Sequence, residues 1–230
     1  MYPHHIRLRG PWECEPIALV ASPPSKGAAN QARRVTIPCR WADAGLAGFR
    51  GQVRFNRKFG YPGKADRDIE HIWLTCAGCT DVRAVHLNGQ LLPAFAGAQF
   101  AFDVTSIMAE RNHLEVLIDG SSDDAGLWGE VAMEIRMDAY LADVRIDRTP
   151  ASACLSGRVV GVAPQPLELY TLVDGRHVDY RTISPRPDGE PFHIDLASIP
   201  SLNAIVRVEL INVSTIWYSI ETSITHWNSA

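Results

Sequence analysis

Two adjacent acids, Asp123-Asp124, are the nearest this sequence comes to a pair that could move protons. Acid–base work by two carboxyl groups needs them on either side of one bond, with the pKa of one raised by apolar surroundings. Neighbouring side chains on extended chain point apart, and Asp123-Asp124 sits among serine, alanine and glycine with no apolar run beside it, so the pair reads as a solvated loop. Cys76-Ala77-Gly78-Cys79 has the spacing of a zinc knuckle or a redox dithiol. Zinc needs a second pair of ligands, and a thioredoxin-type motif needs a helix to begin at the first thiol. Neither partner is visible, and the tetrapeptide reads as structural. His4-His5 has no following ligand at metal spacing. There is no glycine-rich phosphate loop, Gly-x-Ser-x-Gly elbow or His-Glu-x-x-His helix, so no catalytic residue, metal or cofactor is assigned. Binding asks for less, namely a shallow apolar platform with a few placed polar groups. Trp41, His86, Asn88, Asp123, Asp124 and Trp128 are the candidates because they fall on predicted loops or strand ends.

The elements that must carry them are strands. Val85 and Leu87 alternate with Ala84 and His86, as on a strand covered on one side. Asn88-Gly89 then supplies two residues that tolerate positive φ, the requirement of a tight hairpin turn, and this alone explains an asparagine there. Phe100 and Phe102 resume the alternation, and Asp103 or Thr105 can accept from the free N–H groups of a short turn through Ile107 and Met108. Asn112, Leu114, Val116 and Ile118 then share one face of a further strand. Strands continue beyond residue 140, at Leu155 to Val162, Leu167 to Val173 and His177 to Ile183, with a turn at Asp174-Gly175. Val206, Val208, Leu210 and then Ile216, Tyr218 and Ile220 alternate near the end of the sequence. Seventeen glycines and fifteen prolines among short apolar runs fit an all-β chain.

The order of motifs resembles the N-terminal sugar-binding domain of glycoside hydrolase family 2, the group of β-galactosidases, β-glucuronidases and β-mannosidases. The similarity runs through Leu8-Arg9-Gly10-Pro11-Trp12, Ile37-Pro38 with Trp41, and Phe49-Arg50-Gly51 leading into Val53 to Phe59. It continues through Ile72-Trp73-Leu74, Gly78, Ala84 to Gly89 and Phe102-Asp103-Val104-Thr105. Arg111 to Val116 and Gly126-Leu127-Trp128-Gly129-Glu130-Val131 complete it. The resemblance implies a jelly-roll β-sandwich of the galactose-binding type over residues 1–137. In such enzymes an immunoglobulin-like sandwich follows, and the strand pattern of residues 138–230 suits one.

What the resemblance implies for activity is mostly negative. Family 2 enzymes carry their two catalytic carboxylates on a (β/α)₈ barrel of about 250 residues, and no such segment is present in the 230 residues here. Retaining hydrolysis needs two carboxyl groups about 5 to 5.5 Å apart, which Asp123-Asp124 does not offer. In β-galactosidases and β-glucuronidases an aspartate six residues before the glycine of a Gly-Ile-x-Arg-x-Val motif projects towards the substrate. That glycine aligns with Gly126, so the aspartate position falls on Gly120 and the arginine position on Gly129. The expectation is therefore a non-catalytic carbohydrate-binding protein, with aromatic faces under sugar C–H patches and carboxylates or amides on hydroxyls. Two alternatives stand beside it: a structural or protein-interaction module that has lost sugar binding, and an accessory subunit of a split glycosidase.

Composition narrows the partners. With 46% hydrophobic residues the chain can build real cores, and its net charge is −4. Charges balance through Met137, while the remainder is acidic and has no lysine. The basic series Arg50, Arg54, Arg57, Lys58 alternates with Val53, Phe55 and Phe59, as the outer face of a strand would, so nucleic acid is not expected as a partner. No apolar run is long enough for a membrane span. A start lacking a secretory core places the protein in the cytoplasm if Met1 is native. Five scattered cysteines suggest no disulfide framework. Asn212-Val213-Ser214 matches a glycosylation acceptor but falls within a predicted strand. The partners expected are a glycan or another protein.

Overall fold

The computed structural model describes residues 3–17, 32–62, 69–120, 122–148, 153–196 and 204–223. Among them every regular element is a β-strand except one 3-10 turn, Thr105–Ile107, so the chain is all-β with antiparallel sheets, as its sequence indicates. No helix among the described residues is long and apolar enough to cross a membrane. The chain divides into two compact units, one from His5–Ala65 and Ile72–Glu134, the other from Met1–His4, Asp66–His71 and Ile135–Ala230.

The strands that lie wholly or largely in the first unit are β1 (His4–Arg7), β2 (Trp12–Ile17), β3 (Arg33–Val35), β4 (Cys39–Arg40), β5 (Gly51–Gly60), β6 (Glu70–Cys76) and β7 (Val82–Leu87). They are followed by β8 (Gln90–Leu91), β9 (Phe100–Asp103), β10 (Arg111–Gly120), β11 (Gly126–Leu127) and β12 (Val131–Met137). Six of them form a sheet in the order β3-β2-β5-β10-β7-β8, and four form another in the order β1-β12-β6-β9. Period-two alternation decides which side chains are buried. Val53 and Phe55 of β5 lie opposite Ile118 and Val116 of β10, and all four are buried. Ile72 and Leu74 of β6 with Val131 and Met133 of β12 supply the facing wall of the same core. Each fully buried side chain of this size contributes about 1.5–3 kcal/mol.

The outer face of the six-stranded sheet is polar, with one cross-strand row running Arg34, Glu13, Asn56, Glu115, His86, Leu91. Arg54 joins two acids there, with Nη1 3.5 Å from Glu15 Oε2 and Nε 3.1 Å from Glu115 Oε2. At the Asn88-Gly89 hairpin both residues take positive φ, 54° and 82°, and Leu87 pairs with Gln90 as the dipeptide demands. Asp103 Oδ1 accepts from the backbone N–H of Thr105 at 3.0 Å, the turn contact expected of it.

The second unit holds β13 (Ala139–Arg148), β14 (Ala153–Gly161) and β17 (Glu190–Asp195) in one sheet. A second sheet contains β16 (Arg176–Ile183), β15 (Leu167–Val173), β18 (Ile205–Asn212) and β19 (Thr215–Ser223) in that order. Leu155, Leu169, Phe192, Val206 and Leu210 centre its core. A register shift between Leu210 and Ile211 lets two consecutive residues of β19, Trp217 and Tyr218, both be buried, where strict alternation would expose one. The Asn212-Val213-Ser214 triplet is not within a strand. Asn212 ends β18 and pairs with Thr215, so Val213-Ser214 is the turn itself, with Val213 at φ 59° and 75% exposed.

Candidate functional site

Three of the six candidate residues meet at one cluster of loops in the first unit. The short ladder of β4 and β11 pairs Arg40 with Gly126 and Cys39 with Leu127. It sets the 39–50 segment against the Ser122–Ala125 turn, and Trp41 N–H donates to Ala125 O at 2.8 Å to extend the contact. Asp123 Oδ1 accepts from Gly48 N–H and from Arg50 Nη1, each at 2.8 Å. Arg50 Nη1 also donates to its neighbour's carbonyl, Phe49 O, at 2.7 Å, which fixes the guanidinium. Asp124 Oδ1 accepts from Arg40 Nη1 at 3.1 Å. The Arg40 guanidinium carbon lies 5.5 Å from the centroid of the Trp128 ring, a cation–π distance. Trp128 Nε1 donates to Thr80 Oγ1 at 2.8 Å.

The electrostatics make this a set of fixed acceptors and donors. The Arg50 hydrogen bond, with that of the Gly48 amide, holds the Asp123 carboxyl below the usual carboxylate range. Asp123 therefore stays ionised and acts as an acceptor, whereas a general acid needs its pKa raised. Among the described residues no group of three or more histidines, cysteines or acids is placed to hold a metal ion. Cys76 and Cys79 are both buried, and their thiols donate to Gly78 O and Ala98 O at 3.5 and 3.3 Å.

The other three candidates offer the cluster no exposed side chain. Trp41 is in the loop that its position predicts, but its ring is 1% exposed, packed edge-on to Phe49 at 5.8 Å between centroids, and cannot serve as a surface platform. His86 sits on the outer face of the six-stranded sheet, Nδ1 3.6 Å from Glu115 Oε1, too long for a hydrogen bond. Asn88 spends its amide on the hairpin end: Oδ1 accepts from His113 N–H at 2.9 Å, while Nδ2 donates to Ile107 O at 2.8 Å and Asn112 Oδ1 at 2.9 Å. Sequence reading missed Arg40 and Arg50 as members of the cluster. Their acidic partners are 84 and 73 residues away, and no local spacing announces such pairs.

The glycines at the two positions where the resemblance leads one to expect charged side chains have steric causes. A Cβ on Gly120 would lie 1.2 Å from Trp41 Cζ3, and one on Gly129 would lie 2.0 Å from Gly78 N. Asp119, one residue earlier, points outward and pairs with Arg83 at 3.3 Å.

No protein-family profile and no curated sequence matches the chain. Solved structures do match its fold. A family 2 β-galacturonidase from Eisenbergiella tayi bound to galacturonate aligns over 96% of this chain and 43% of its own, with a TM-score of 0.75 at 14% identity. A Bifidobacterium dentium β-glucuronidase complexed with coumarin-3-O-glucuronide aligns over 95% of this chain and 47% of its own, with a TM-score of 0.69 at 22% identity. A Bacteroides uniformis β-glucuronidase gives 96%, 32%, 0.70 and 17% for the same quantities. The chain thus spans less than half the length of each of these enzymes, and it has the fold of that part of them.

Proposed function

We propose that this chain is a carbohydrate-recognition unit that does not itself cleave glycosides, and that a hydroxyl-rich ligand is held at the Asp123–Arg50 and Asp124–Arg40 loops. The observation that carries the reading is the way Asp123 is held. Both of its donors converge on Oδ1, the side chain is half exposed, and Oδ2 is left to accept from a ligand hydroxyl. Arg40, fixed by Asp124 and Trp128, adds donors beside it. Carboxylate and guanidinium groups set in advance lose little freedom on binding, which favours sugar hydroxyls over solvent. A glycan array followed by calorimetry on the purified chain tests this: at least one neutral glycan should bind at micromolar to millimolar strength, and Asp123→Ala should weaken it at least tenfold. Absence of binding across the array overturns recognition. Hydrolysis of a glycoside by the chain, lost on changing one of its own carboxylates, overturns the non-catalytic part.

The correspondence to under half of each matched enzyme favours a second reading, in which the unit serves as the non-catalytic part of a larger glycosidase assembly. Capture from the native host with the tagged chain, followed by a glycosidase assay on what is retained, separates the two: activity in the captured fraction supports the assembly, and its absence leaves the free recognition unit.

A further inference from the structure

A second concave region lies far from the loop cluster. Ten-residue strands β5 and β10 run side by side, with Gly51 opposite Gly120 at the loop-cluster end and Gly60 opposite Arg111 at the other, about 30 Å away at the usual rise of a strand. At that far end a pocket of about 480 Å³ is lined by Lys58, Phe59, Asn88, Arg111 and His113. A smaller one of about 180 Å³, lined by Glu13, Arg34, Asn56 and Arg57, adjoins it along the groove, with Lys58 lining both. Lys58 and His113 are direct cross-strand neighbours, and the residue opposite Arg111 is Gly60, so no side chain stands across the strand from it.

The described residues here carry an excess of basic charge. Among the described residues the side chains of Lys58, Arg111, His113 and Arg34 have no carboxylate partner, whereas Arg40, Arg50, Arg54 and Arg83 of the same unit are each tied to one. Arg57 donates to a carbonyl, Pro11 O, at 2.6 Å. Among the described residues the acids nearby are Glu13 in the smaller pocket, Glu110 beside Arg111, and Glu115, which is engaged with Arg54.

We propose that this groove binds an anionic saccharide, a short glycan bearing a carboxylate or a sulfate, with Lys58 and Arg111 on the anionic group and Asn56 and His113 beside the ring hydroxyls. The inference rests on the reading of the chain as a carbohydrate-recognition unit and names a ligand class for a second site. The size of the larger pocket is that of a small-molecule site. Nucleic acid fits less well. A phosphate backbone continuing across this face would meet Glu15 and Glu115, and among the described residues the one phenyl, phenol or indole ring lining the groove is the half-buried Phe59, where base stacking needs exposed rings.

Calorimetric titration of the purified chain with trigalacturonic acid, its neutral methyl ester, a sulfated galacto-oligosaccharide and an oligothymidylate of matching charge tests it. The uronate, the sulfated sugar or both should bind, and the ester should bind at least tenfold more weakly. Lys58→Ala with Arg111→Ala should weaken the acidic sugar at least tenfold, Lys58→Arg should retain it, and raising salt should reduce it. Asp123→Ala should leave acidic-sugar binding intact, while the Lys58/Arg111 double variant should leave neutral-glycan binding intact, so either site can fail without the other. Equal binding of acid and ester, no binding of either acidic sugar, undiminished binding in the double variant, or tighter binding of the oligothymidylate would each overturn the proposal.

Discussion

The indole of Trp41 fills the space that any side chain at position 120 would need, since a Cβ on Gly120 would fall 1.2 Å from Cζ3 and 2.0 Å from Cη2 of that ring. The pair is a mutual fit: the ring is buried because the glycine makes room, and the glycine is required because the ring is there. Gly120→Ala should therefore destabilise the chain by about 1–3 kcal/mol through overpacking, and Gly120→Asp by more because it also buries a charge. Trp41→Ala should cost about 3–5 kcal/mol. In urea unfolding the double variant Trp41→Ala/Gly120→Ala should cost less than the two singles added. An additive result would show that the contact does not govern position 120.

The Asp123 clamp predicts a titration. Its carboxyl is held down first by Arg50 and then by the Gly48 amide, so the clamp is intact above the ordinary carboxylate range and opens only as pH falls through a lower value. The side-chain carboxyl resonance of Asp123 should titrate below that of a model aspartate, and Arg50→Ala should return it towards the usual range. A midpoint unchanged by Arg50→Ala would remove Arg50 as the cause.

Gly78 and Gly129 meet under Trp128. A Cβ at Gly78 would fall 2.3 Å from Trp128 Cζ3, the outer part of the ring, but one at Gly129 would fall 2.0 Å from backbone N of Gly78. A side chain can turn aside more easily than a backbone can. Gly129→Ala should therefore lower the melting temperature more than Gly78→Ala, while Gly78→Ala should change Trp128 fluorescence more. The reverse order would mean that Trp128 is the more rigid of the two.

Burial, with Cys39 nearby, pushes the Cys14 thiol up to about 12, and burial also raises Cys39. Iodoacetamide at pH 8 should thus leave Cys14 and Cys39 unmodified in the folded chain and alkylate both in denaturant, as mass spectrometry would read. Linkage gives the sign of a second effect. Below about pH 9 the Cys14 thiol is protonated in both states, and between about 9 and 12 only the unfolded thiol ionises, so stability falls with rising pH there. Rapid alkylation of the native thiols would contradict their burial.

The strands were readable because their side chains obey a local rule. Phe100, Phe102 and the Asn112 to Ile118 set alternate as a half-covered strand must, and all of them are buried. Asn88-Gly89 announced its turn by the backbone conformation that only a few residues accept without strain. Three things lay beyond such rules. Trp41 looked surface-bound because loops usually are, and only its fit to Gly120, 79 positions on, draws it inward. The Arg40–Asp124 and Arg50–Asp123 pairs join segments that become neighbours only after the β4–β11 ladder forms. Val213 took a turn position in spite of a β-branched side chain, because a two-residue connection between Asn212 and Thr215 leaves the chain no other route.

The interlocked carboxamides of Asn88 and Asn112 carry a kinetic implication. Asn112 also accepts from Ala109 N–H at 2.9 Å and donates to Ala109 O at 2.7 Å, so two amide side chains staple the hairpin tip, the 107–109 crossover and the start of β10 into a single latch. Backbone protons of Ala109 and His113 can reach water only when that latch springs, so hydrogen–deuterium exchange at this outlying corner should keep the slow tempo of the sheet interior rather than the quick one of a surface loop.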